Sequence, residues 1–180
     1  MTRRAGRAGS RVPAIRLRRP RAGDLGWVVE RHGAVYANEY RYDARFEGLV
    51  ARVVGDFVER FDPKRERCWI AEANGKRVGS VFLTRLPGGR GTAKLRLLLV
   101  EKSARGTGLG RRLVRACAAF ARSRGYRAIE LWTQAELVAA RKLYVSEGYV
   151  LVSSKRHAMF GRPAIAETWR LDLNDNKRGR

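Results

Sequence analysis

One segment limits the fold of this chain more than any other: a strongly apolar run that empties into alternating glycines. Residues 93–100 are apolar at all but two positions and lead through Glu101, Lys102, Ser103 and Ala104 into Arg105, Gly106, Thr107, Gly108, Leu109, Gly110, Arg111 and Arg112. A run with apolar residues on both faces reads as a central strand. The glycine stretch then opens a helix over about 108–124, with Leu109, Leu113, Val114, Cys117 and Phe120 turned inward. Glycine removes the Cβ atoms that hold an anion away from the main chain, and the first N–H groups of a helix lack internal partners. The junction therefore has the chemistry of a phosphate cradle. Taken alone, the glycines also fit a tight turn with close helix packing. The loop lacks the lysine and hydroxyl ending of an NTPase P-loop. It also comes too late in the chain to start a dinucleotide-binding fold with a distal acid, which disfavours nucleotide hydrolysis.

The other segments alternate strand and helix signals. Residues 14–18 can form a short strand, and Asp24 can cap a helix carrying Leu25, Val28, Val29, His32 and Val35 on one side. A second helix begins after Asp43. Phe46, Leu49, Val50, Val53, Val54, Phe57, Val58 and Phe61 make its core stripe until Asp62 and Pro63 stop it. Residues 68–73 and 77–84 flank Asn74 and Gly75, a hairpin signal. Further strands are expected at 127–132, 149–153 and 164–173, with a helix over 136–147 ended by Gly148. The alternation fits one compact α/β or α+β domain over 14–173. Residues 1–13 and 174–180 are expected as basic tails, the first disordered.

Charge narrows the partners. The chain carries 39 basic and 17 acidic residues, for a net charge of +22. Eight arginines precede Asp24 without a single acid, and Lys177, Arg178 and Arg180 close the chain, so half of that net charge sits at the ends. Such blocks are commonly solvated ends, and neither carries the interleaved aromatics on which bases stack. Nucleic acid is therefore allowed as a partner of the tails but not favoured. The arginine-rich start lacks the apolar segment of a secretory signal and no run is long enough to span a membrane, so a cytoplasmic protein without membrane attachment is expected. The two cysteines, Cys68 and Cys117, and the two histidines, His32 and His157, lie far apart. Neither a disulfide framework nor a metal site is expected from that spacing.

Arg105, Gly108 and Gly110 fit the pyrophosphate-loop pattern of the GNAT superfamily of acetyl-CoA-dependent N-acyltransferases: Arg or Gln, two residues, Gly, one residue, Gly or Ala. Ala140, Tyr144, Gly148 and Tyr149 reproduce a second pattern of that superfamily, and the element order resembles its fold over about nine-tenths of the chain, which implies an α/β domain with a mixed central sheet flanked by helices and with the strand ending at Val100 splayed from the next at the cofactor site. A finer resemblance runs through residues 32–36, Glu39, Tyr40 and 44–70. It is to the acetyltransferase half of bacterial proteins that join a winged-helix regulator to a GNAT domain. With 13 residues before Ala14, no winged helix is expected here, and DNA binding by such a module does not carry over.

The resemblance implies acetyl-CoA as acyl donor. The main chain of Leu98, Leu99 and Val100 would bind its pantetheine arm, and Arg105, Gly106, Thr107, Gly108, Leu109, Gly110 and Arg111 its pyrophosphate. Arg111, Arg112 or Lys142 would meet the ribose phosphate, or stay solvated. Tyr144 is implied as the acid that protonates the departing thiolate. The family's usual base positions hold Lys94 and Trp132, so Glu39 is the first choice of base, with Glu101 and a water chain behind it; His157 reads as an exposed loop residue that could touch substrate. Expected partners are acetyl-CoA and a primary amine of a small molecule or amino acid rather than a protein N-terminus, joined by direct transfer in a ternary complex, and a homodimer is allowed. A basic nucleic-acid or ribosome-associated binding module and a non-catalytic acyl-CoA sensor are the alternatives.

Overall fold

The computed structural model describes residues 14–174. In chain order its elements are β1 (Ile15–Arg18), α1 (Asp24–Tyr40), α2 (Ala44–Glu59), β2 (Arg67–Ala73), β3 (Lys76–Arg85), β4 (Thr92–Val100), a short 3-10 turn (Lys102–Ala104), α3 (Leu109–Ser123), β5 (Ala128–Gln134), α4 (Val138–Ser146), β6 (Val150–His157) and β7 (Ala164–Asp172). The strands make one seven-stranded sheet in the order β1-β2-β3-β4-β5-β7-β6. Every neighbouring pair is antiparallel except β4 and β5, which α3 links in parallel. Each face of the sheet has its own core. Leu113, Val114 and Cys117 of α3 and Tyr144 of α4 pack with Leu83, Leu95, Ile129 and Leu131 on one side. On the other, Val28 of α1 and Phe46, Val50, Val54 and Phe57 of α2 pack with Cys68, Ile70 and Phe82.

Local chemistry explains most element ends. The β2–β3 turn has Asn74 at φ 49° and Gly75 at φ 73°, the two left-handed residues a tight hairpin requires. The Asp43 side chain accepts from the Arg45 N–H and caps α2 as expected. The cap expected at Asp24 is displaced by one residue: Gly23 is the N-cap of α1, and Asp24 opens the first turn. Asp24 is buried there because it accepts from the Arg18 guanidinium and, at 2.6 Å, from the Arg21 N–H. Burial pulls its pKa up, but these donors outweigh burial and hold the carboxyl below the usual carboxylate value.

Two sequence expectations need correction. The apolar stripe of α2 is core only as far as Phe57: Val58 and Phe61 are 56% and 43% exposed, because Val58 is turned one residue round the helix from Phe57 and Phe61 lies past the helix end at Glu59. Strand β6 continues to His157 rather than stopping at 153. As an edge strand exposed along most of its length it needs no apolar pattern, so Ser153, Ser154, Lys155 and Arg156 gave no strand signal. The expected basic tails lie outside the described residues, apart from Asn174.

Candidate active site

The site begins where two strands part. β4 and β5 are paired only from Thr92↔Ala128 to Leu95↔Leu131, although β4 runs on to Val100 and β5 to Gln134. Just past the last rung, Leu97 adopts φ 51°, and the β3–β4 register shifts between Ser80 and Phe82. This is a bulge, which turns the strand and increases its local twist. The Ser80 hydroxyl fastens it by donating to the Leu97 carbonyl at 3.1 Å. Leu98, Leu99 and Val100 therefore lie beyond the last rung to β5, with one main-chain edge facing no strand, although the Val100 carbonyl accepts from Arg105 Nε at 3.3 Å.

A cavity of about 360 Å³ fills the gap and passes between the two faces of the sheet. Ala140 and Tyr144 enter it from the α4 side, and His32, Tyr36, Phe46, Leu49, Val50 and Val53 from the α1 and α2 side. Strand β4 contributes residues 94–98, β5 contributes Trp132, Thr133 and Gln134, and Met159 leans in from the β6–β7 loop. That loop is held in place by Phe160, which is buried and meets Phe46 edge-on at 5.1 Å, while its carbonyl accepts from the Asp43 N–H.

Tyr144 is buried and lines the cavity, and its hydroxyl has no hydrogen-bond partner among the described residues. Burial first, and then the neighbouring Tyr36 and Cys117, push its hydroxyl well above the usual phenol value, so its proton stays on at any working pH. His32 donates from Nδ1 to the Val28 carbonyl at 2.8 Å, which leaves Nε2 as a buried, unpartnered acceptor. Burial pulls its pKa down to about 4 and keeps the ring neutral. His157 is not an exposed loop residue but the partly buried end of β6. Its Nδ1 accepts from the Met159 N–H, so Nε2 donates to Gln134 Oε1 at 2.7 Å. The Gln134 amide nitrogen, also buried, is left without a partner.

The glycine loop forms the open end of the site. Gly106 and Gly108 lie at φ 78° and 81°, and a Cβ at either would meet nothing within 4 Å. None of the N–H groups of residues 106–111 bonds to another main-chain group. Free amides beside an open surface at a helix start are what a phosphate group needs, so this stretch fits the pyrophosphate expected there. Thr107 braces the loop by donating to the Ala104 carbonyl at 2.7 Å. Gly110 does a different job: its Cβ would come within 3.2 Å of Leu143 Cδ2, so it lets α3 pack closely on α4. The close-packing reading of the glycines thus holds at Gly110, whereas Gly106 and Gly108 face open space.

The remaining expected residues are distributed as follows. Arg105 donates to both carboxylate oxygens of Glu39 at 2.8 and 3.0 Å, and Arg31 grips Glu101 in the same forked way at 2.6 and 3.1 Å. Neither carboxylate is among the cavity-lining residues. Arg111 pairs with Glu147 at 2.9 Å, Arg112 donates to the Ile15 carbonyl, and Lys142 is exposed. Lys94 lines the cavity, as does Arg96, which the sequence reading passed over inside an apolar strand. The available signal was two cations two residues apart, hence on one face.

The site thus combines a strand gap, a cavity that crosses it and reaches the buried Tyr144, and a loop of free amides at the start of α3. Residues 31–149, well over half of the chain, match the model of the Acetyltransferase (GNAT) family, and the chain belongs to that family. No curated protein sequence matches the chain. Among solved structures, it is similar to the ribosomal-protein-alanine N-acetyltransferase of Brucella melitensis, at 22% identity and a TM-score of 0.70, covering 87% of this chain and 99% of that one. It is also similar to a GNAT-family acetyltransferase of Staphylococcus aureus Mu50, with 18% identity, a TM-score of 0.72 and 89% and 100% coverage. The structure of yncA from Salmonella typhimurium with its cofactor acetyl-CoA gives 18%, 0.71, and 91% and 96%. The family and the mixed α/β fold expected from the two motifs are borne out.

Proposed function

We propose that this acetyltransferase moves an acetyl group from acetyl-CoA to a primary amine of a small molecule by direct attack in a ternary complex in the cytoplasm. The observation that carries the reading is the cavity running through the β4–β5 gap, which reaches Ala140 and Tyr144 on the α4 side and opens between α1 and α2 into a space large enough for a small acceptor. Loop amides of residues 106–111 would hold the pyrophosphate, and the strand-free edge of Leu98, Leu99 and Val100 would pair with the pantetheine amides as a further strand. The amine nitrogen attacks the thioester carbon, the carbonyl electrons move to oxygen, and their return expels the sulfur. Tyr144 passes its proton to that sulfur and recovers one from solvent. In the free chain Arg105 holds Glu39; when Arg105 turns to the pyrophosphate, Glu39 is released to take the ammonium proton through water.

Direct transfer is supported by the cysteines. Cys68 and Cys117 are buried, neither lines the cavity, and burial pushes both thiols up, so neither serves as an acyl carrier. The exposed Val150, Leu151 and Val152 on edge strand β6 support a homodimer. The test is a panel of primary amines with detection of free CoA, followed by initial rates at varied concentrations of both substrates. Intersecting double-reciprocal lines are expected; parallel lines would mean an acetyl-enzyme and overturn the ternary complex.

A further inference from the structure

We infer that the acceptor amine carries a carboxylate, as a free amino acid does, and that Arg96 and Lys94 on β4 bind it; this rests on the acetyl-transfer reading above. Both side chains line the cavity, and its lining contains no aspartate or glutamate. Neither cation has a salt bridge within the described residues, and Arg96 Nε is buried without a hydrogen-bond partner. Asp56 acts on Arg96 and Glu130 on Lys94 only through space, without a salt bridge to either. Asp56 on α2 faces Arg60 at 4.0 Å, and Glu130, which sits opposite Lys94 in the β4–β5 register, pairs with Arg170 at 2.9 Å.

A half-buried cation without a counter-ion is costly, and proteins rarely hold two side by side without an anion to meet them. Burial lowers the pKa of both, and Arg96 adds to the effect on Lys94, which an incoming carboxylate would reverse. Gln134 supplies a neutral donor at the same cavity. His157 occupies its carbonyl, so the orphaned amide N–H groups remain for a substrate oxygen. Leu49, Val53 and Trp132 complete the wall and offer an apolar surface to the acceptor's side chain. The same charges work against polyamines, whose second ammonium would lie beside Arg96. They also work against a peptide N-terminus, whose first residue has an amide where the free amino acid has a carboxylate.

The experiment compares L-leucine, L-valine and L-phenylalanine with their carboxamides and with the matching primary amines lacking the carboxyl group. The parent protein and the Arg96→Met, Arg96→Lys and Lys94→Met variants are all measured. The parent is expected to favour acids over carboxamides by at least about tenfold in kcat/KM, the scale of a charge-assisted contact. Arg96→Met should lower kcat/KM for the acid at least about tenfold more than for the carboxamide, and Arg96→Lys should restore part of that loss. KM for acetyl-CoA should hold. Turnover of carboxamides or plain amines as fast as the acids, or equal losses on both in Arg96→Met, overturns the carboxylate subsite and leaves acetyl transfer standing. Absence of transfer to every amine together with absence of acetyl-CoA binding overturns both.

Discussion

Gly108→Val separates the cradle from the fold. At φ 81°, position 108 lies in the left-handed region, where a β-branched residue costs on the order of 1–3 kcal/mol. A Cβ there meets nothing within 4 Å, so no packing penalty is added. For a domain of this size that cost corresponds to a melting temperature lowered by about 2–4 °C per kcal/mol, leaving the chain folded. Binding suffers more. The valine methyls would stand over the loop surface and keep phosphate oxygens from the neighbouring N–H groups. Losing one or two charge-assisted hydrogen bonds, each worth about 1.5–3 kcal/mol, weakens acetyl-CoA binding by roughly one to four orders of magnitude. Isothermal titration of the folded variant, alongside its thermal melt, measures both effects. A dissociation constant equal to the parent's would refute the cradle, whatever the melt shows.

Tyr144→Phe keeps the buried ring and removes the proton, so the single-turnover acetyl-transfer rate should fall at least about tenfold while acetyl-CoA affinity and melting temperature change little. A drop of about 1 kcal/mol in stability with an unchanged rate would assign the hydroxyl to packing instead. Burial pulls the folded pKa of His32 down to about 4 from the ordinary histidine value of 6.5, so its contribution to stability is present above pH 6.5 and is lost as pH falls towards 4. That loss amounts to about 3 kcal/mol, and His32→Leu should flatten the dependence in chemical denaturation; an unchanged slope would show that the ring is protonated in the fold. Removing residues 1–13 should leave turnover of a small amine nearly unchanged while abolishing any salt-dependent RNA binding; a large loss of turnover at saturating acetyl-CoA would make the tail part of the acceptor site.

The parts legible in the sequence are those written in local chemistry. The Asn74–Gly75 turn, the Asp43 cap and the glycine loop need only a few adjacent residues, and each stands where the pattern put it. The cavity has no such signature. It exists because rungs between β4 and β5 stop at Leu95↔Leu131 and because Leu97 bulges, and neither event disturbs the apolar run of 93–100. The pairing of Arg105 with Glu39 joins residues 66 apart, and Gln134 meets His157 only because β7 pairs with β5 on one edge and with β6 on the other. Arg96 escaped notice because a cation in an apolar strand reads as an exception until the cavity gives it a place.

The four rungs between β4 and β5 have a mechanical meaning. The sheet is in effect two leaves, β1–β4 and β5–β7, joined along a short seam with α3 as the strap across it. Lys94 and Arg96 belong to one leaf, while α4 with Tyr144 follows directly from the other. On the proposed reading, the angle between the leaves would set the distance from an acceptor's carboxylate to the Tyr144 hydroxyl, and with it the length of acceptor that fits. Leu95 and Leu131 are the last rung of the seam, and both pack in the α3-side core. A change in their volume would alter which acceptors react through the geometry of the seam, a route to new selectivity that leaves the chemical groups of the site untouched.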